Sequence, residues 1–137
     1  MMTGWVLPAL GVILAWGLWG FLPKLTTQYL SPRSVMVYEV FGAVFVALLV
    51  LASMQFRLEA SWRGATLAVM AGAMGIVGAL CYVLAMVRGP VALIVTFTAL
   101  YPILSIGLAW LILGETISIR QGIGIVLGLV AMVLIST

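Results

Sequence analysis

Residues 65–87 read ATLAVMAGAMGIVGALCYVLAMV, 23 consecutive positions without a charged side chain. The hydrocarbon core of a bilayer is about 30 Å thick, and roughly 20 apolar residues cross it as a helix. The stretch therefore predicts a transmembrane helix. Runs of the same kind occupy about 5–22, 35–54, 91–113 and 117–135, making five in all. Short loops between them hold nearly all the charge. Hydrophobic residues make up 66% of the 137-residue chain and charged residues 7%. A water-soluble domain of this size cannot hide so much apolar surface. A helix pairs its own backbone groups in lipid, whereas a barrel needs alternating segments of about ten residues, which these runs lack. The expected fold is an all-α membrane bundle of five transmembrane helices forming a single domain over 1–137. The odd number predicts N and C termini on opposite sides.

The punctuation between runs supports these bounds. The first run stops at Pro23-Lys24, and the third ends at Arg88-Gly89-Pro90. Ser31 before Pro32 fits an N-cap followed by proline at the first helical position of the second span. The fourth run ends at Gly114-Glu115, and Glu115 is expected to favour the N-terminus of the fifth helix. No basic stretch precedes the first run and no cleavage site follows it, so it is read as a span and not as a signal peptide. Gly72, Gly75 and Gly78, and again Gly124 and Gly128, recur at helix-packing spacing and are expected to mark contact faces. The chain has no histidine, and its one cysteine, Cys81, lies within the third run. No metal, cofactor or nucleic-acid partner is expected.

The loops on the N-terminal side hold Arg57, Arg63 and Arg120; those on the other side hold Lys24, Arg33 and Arg88. Orientation follows the Lys/Arg bias of short loops. Three against three leaves two readings open. In one, the first span or a partner sets the orientation. In the other, the same chain inserts both ways and two opposed copies pair.

An ionisable residue within a span is a functional candidate. Glu39 stands roughly 9 Å into the second span from the side holding Lys24. Trp16 and Trp19 precede Pro23 by seven and four residues, Tyr82 precedes Arg88 by six, and Thr96 and Thr98 follow Pro90 by six and eight. All enter or leave through that same side, so they share one layer with Glu39. Tyr101 and Pro102 lie slightly deeper. Pro102 has no N–H, so the Thr98 carbonyl loses its helical partner. These residues describe a substrate cavity of Glu39, Trp16, Trp19, Tyr82, Thr98 and Tyr101, with a helix break at Pro102. The carboxylate can exchange a proton or hold a cation, and indole and phenol faces attract organic cations. The plainer readings are a Glu39 pair with Arg33 or Lys24, interfacial or core packing for the tryptophans, and helix hydrogen bonds for Tyr82 and the threonines. Trp5 and Trp62 read as aromatic-belt residues.

The run Thr98-Ala-Leu-Tyr-Pro-Ile-Leu-Ser, the exit Leu113-Gly114-Glu115-Thr116 and the start Gln121-Gly122 with Gly128 following resemble the later part of an EamA-type domain of the drug/metabolite transporter superfamily. Trp16-Gly17 with Pro23-Lys24 resembles that family's first helix. The resemblance implies a carrier of small metabolites, often an exporter, in the cell (inner) membrane. Most such proteins carry two five-helix domains in tandem, inverted to each other, and inverted repeats build their site at the shared interface. This sequence holds one. The strategy is also similar to that of the shorter small multidrug resistance transporters, whose buried glutamate lies in the first helix and not the second.

The expectation is a secondary transporter, and not an enzyme, for a small metabolite or organic cation. It would work by alternating access as an antiparallel homodimer among membrane lipid, with proton coupling through Glu39. The alternative is a non-transporting membrane module, such as an assembly subunit or a lipid-handling partner of a larger protein.

Overall fold

A computed structural model describes residues 4–59 and 61–136. Among them every regular element is a helix: α1 (Val6–Thr26), α2 (Pro32–Ser53), α3 (Trp62–Arg88), α4 (Val91–Thr98), α5 (Tyr101–Leu113) and α6 (Ile119–Ser136). Four segments are long and apolar enough to cross a membrane, namely α1, α2, α3 and Val91–Leu113; the apolar stretch Ile119–Ile135 of α6 is shorter. The chain is a multi-pass membrane protein. It divides into two compact units, Met1–Arg88 and Gly89–Thr137.

In the first unit α3 packs against both α2 and α1. α3 has 27 residues and is roughly 40 Å long at 1.5 Å per residue. The buried side chains are gathered at one end of the unit. Pro23 comes from the end of α1, Val35 and Met36 from the start of α2, and Ala79, Tyr82, Val83 and Met86 from the last turns of α3. Away from that end Leu14, Leu48, Leu67, Val69 and Met74 are exposed. In lipid such residues have no reason to hide, so helix contacts are set by shape and polar pairing.

Ser31 caps α2 as expected: its Oγ accepts the Ser34 N–H at 3.3 Å, with Pro32 at the first position. Ser61 does the same for α3, accepting the Gly64 N–H at 3.2 Å. α1, by contrast, does not stop at Pro23 but runs on to Thr26. Proline costs a helix one donor and crowds the preceding turn. Here that cost falls in the final turns, where Thr27 closes the end: its N–H and its hydroxyl both reach the Pro23 carbonyl, at 3.0 and 2.7 Å.

The span expected over 91–113 is interrupted at Ala99-Leu100, and α4 packs on α6. Pro102 sits in the first turn of α5, where a missing N–H is tolerated. The junction tightens into three-residue bonds, Leu100 N–H to Phe97 O at 3.2 Å and Ile103 N–H to Leu100 O at 3.1 Å. α5 ends at Gly114 in the left-handed region, φ 67°. Ser118 and Gln121 then form a reciprocal box. The Ser118 N–H donates to Gln121 Oε1 at 2.9 Å, and the Gln121 N–H donates to Ser118 Oγ at 3.3 Å. This box starts α6 at Ile119, so Glu115 stands in the connecting loop and not at the helix N-terminus. Within the single chain the glycines expected to mark contact faces stand open. A Cβ on Gly72, Gly75, Gly78, Gly124 or Gly128 would meet nothing within 4 Å among the described residues.

A left-handed φ costs an L-residue roughly 1–2 kcal/mol. Gly114→Ala is therefore expected to lower stability by about 1 kcal/mol, read as a lower thermal midpoint of the purified protein in detergent micelles.

Candidate functional site

Three of the residues singled out in the sequence meet in the first unit, one from each helix. Trp19 on α1 stacks on Tyr82 of α3, with ring centroids 5.1 Å apart and planes 22° from parallel. The Trp19 side chain also lies beside Glu39 of α2. Its indole N–H is the only donor it has, and a carboxylate is an acceptor. Trp19 is thus the common member, with a ring face on α3 and a polar edge on α2.

Tyr82 is 8% exposed. Its hydroxyl donates to the Gly20 carbonyl of α1 at 2.7 Å. Pro23 loosens that part of α1, because the Trp19 carbonyl loses its usual donor and the ring crowds the turn. Gly20 admits the phenol. A Cβ at position 20 would stand 3.2 Å from the Tyr82 oxygen. One turn on, Lys24 Nζ donates to the Met86 carbonyl of α3 at 2.8 Å. A lysine near a helix end is commonly directed at headgroups; this one is directed at the last turn of α3, where carbonyls lack helical partners.

Trp16 lies on α1 one turn before Trp19 and is 57% exposed. Thr98, Tyr101 and Pro102 belong to the second unit. There the Thr98 hydroxyl donates to Ile94 O at 2.8 Å, Thr96 does likewise to Ala92 O at 2.7 Å, and Tyr101 opens α5. The second unit also has an open groove of about 460 Å³, lined by Trp110, Glu115 and Gln121 among others. None of its residues was expected to form a site. No group of three or more His, Cys, Asp or Glu able to hold a metal occurs among the described residues.

Sequence reasoning missed two participants. Gly20 falls outside the glycine runs that looked like packing faces; its signal was its place beside Trp19 and one turn before Pro23-Lys24. Lys24 was read as a loop charge or a partner for Glu39, and not as a donor to α3.

Long apolar helices with charge held to their ends define a multi-pass membrane protein. The model of the EamA-like transporter family matches residues 3–137, and the chain belongs to that family. No curated protein and no solved structure matches it.

Gly20→Ala is expected to cost about 1 kcal/mol by displacing the Tyr82 hydroxyl, the worth of one such hydrogen bond. In a Tyr82→Phe background the same change is expected to cost much less. A double-mutant cycle of unfolding in detergent checks this; equal costs in both backgrounds would show that the two residues are not coupled.

Proposed function

We propose that the protein is a secondary transporter of a small metabolite or organic cation, with Glu39 as the residue that engages substrate or proton. The observation that carries this reading is the Glu39–Trp19–Tyr82 cluster. The family makes the chain a transporter domain, and a carboxylate within a span is costly unless it serves a purpose. An ionised carboxylate accepts about four hydrogen bonds; with the indole of Trp19 beside it, capacity is left for a cation or proton. Trp16 and Trp19 offer the aromatic faces that favour organic cations. Tyr82 backs the Trp19 ring.

We further propose that the working unit is an antiparallel homodimer in the cell (inner) membrane, with the two termini of each chain on opposite sides. Support comes from the equal loop charges, three on each side, which give no orientation bias, and from the odd number of apolar runs. Two opposed copies supply the inverted pair that transporters of this architecture use. Exchanging the two conformers of such a dimer reproduces it facing the other way, which is alternating access. The Glu39 layer would then lie near each mouth, once per copy.

Glu39→Gln in proteoliposomes is expected to reduce transport of the organic cation used about tenfold or more, the effect of losing roughly 1.4 kcal/mol of interaction, and to flatten its pH dependence. Unchanged transport and pH profile would remove Glu39 from the mechanism. Membrane-impermeant labelling of tags at both termini is expected to find each terminus on both faces in comparable amounts. A uniform population with each terminus on one face would exclude the opposed pair.

A further inference from the structure

We propose that Tyr82 and Lys24 form a two-point clasp between α1 and α3 that sets the Trp19 indole against Glu39, making both positioning residues and not substrate ligands. The proposal rests on the reading of Glu39 as the residue that engages substrate. The two bonds are reciprocal. α3 gives a side chain to the backbone of α1, Tyr82 Oη to Gly20 O, and α1 gives one back to α3, Lys24 Nζ to Met86 O. Gly20 and Lys24 are four residues apart on α1, and so are Tyr82 and Met86 on α3. The two attachments therefore lie about 6 Å apart along parallel helices, at 1.5 Å per residue. One attachment would leave a pivot; two in the same register hold translation and rotation together.

The chemistry keeps both closed. The buried Tyr82 hydroxyl would cost free energy without an acceptor, and the half-buried Lys24 ammonium likewise finds a backbone carbonyl on the neighbouring helix. The Tyr82 oxygen has little room to move, because the Gly20 backbone lies against it where a Cβ would already be at 3.2 Å. The ring that makes this bond is also the ring on which Trp19 lies. Its plane fixes the Trp19 plane, and Trp19 lies beside Glu39. Sliding α1 against α3 by one residue, about 1.5 Å, pulls the Tyr82 hydroxyl from the Gly20 carbonyl, strains the Lys24 attachment and carries Trp19 away from the carboxylate. Helix movement and the surroundings of Glu39 are thereby linked through two residues that need never touch substrate.

The test uses the full chain in lipid nanodiscs without substrate. The Trp19 indole N–H signal is identified by its loss in Trp19→Phe. Tyr82→Phe and Lys24→Met are each expected to shift that signal and to speed its exchange with deuterated water roughly tenfold, as expected for losing a restraint worth one hydrogen bond. Lys24→Arg, which can still donate to the carbonyl, is expected to restore the native signal. Spin labels at Thr27 and Val87 are expected to give one narrow distance in the native chain and a longer or broader distribution in Lys24→Met. An unchanged Trp19 signal and exchange rate in both Tyr82→Phe and Lys24→Met overturns the proposal. If Tyr82→Phe does not fold, Lys24→Met decides alone. None of these readouts requires transport. Intact transport in Glu39→Gln would overturn the role of Glu39 and leave the clasp standing; a Trp19 signal indifferent to the clasp would do the reverse.

Discussion

The hydrogen bond from the Tyr82 hydroxyl to the Gly20 carbonyl is the contact around which the first unit is arranged. In water such a bond exchanges one partner for another and contributes little. In hydrocarbon there is no second partner, so a tyrosine placed within a span must find an acceptor on protein. It finds one where α1 carries a glycine just before a proline. The phenol then brings α1 and α3 together, the ring becomes a platform for Trp19, and Trp19 reaches Glu39. The buried apolar side chains gather at the same end. Their packing follows from this polar arrangement as much as it causes it, because lipid competes for apolar surface on equal terms.

The same constraint shapes the second unit by other means. Pro102 leaves one carbonyl without a helical donor, and the chain answers by tightening the Ala99-Leu100 junction and starting a new helix. Thr96 and Thr98 turn their hydroxyls onto carbonyls of their own helix. Ser118 and Gln121 satisfy each other at the start of α6. The Tyr-Pro break, the Leu-Gly-Glu exit and the Gln-Gly start that resembled a transporter family are thus places where backbone groups would be orphaned in lipid. Each has a physical basis apart from substrate chemistry.

The proposed site inherits both facts. Glu39 is a poor residue to leave in a bilayer unless something uses it, and the groups nearest to it are held by bonds that have little to do with substrate. The open groove beside Trp110 and Glu115 is lined in part by Gln121, which Ser118 holds by hydrogen bonds.

The sequence alone determined the membrane class, the approximate positions of the apolar runs, the Ser31 cap and the depth shared by Trp19, Glu39 and Tyr82. Length, hydropathy and rise per residue are one-dimensional quantities, and depth along parallel helices is one of them. It misplaced the end of α1 and the role of Glu115, because each depends on which groups find a partner in space. Which faces of α1 and α3 meet, why Gly20 and not Gly75 needs to be small, and why Lys24 turns to Met86 were decided only by tertiary structure. Helix rotation and helix choice are angular and pairwise, and residue spacing carries neither until polar groups in a low-dielectric medium have been matched one to one.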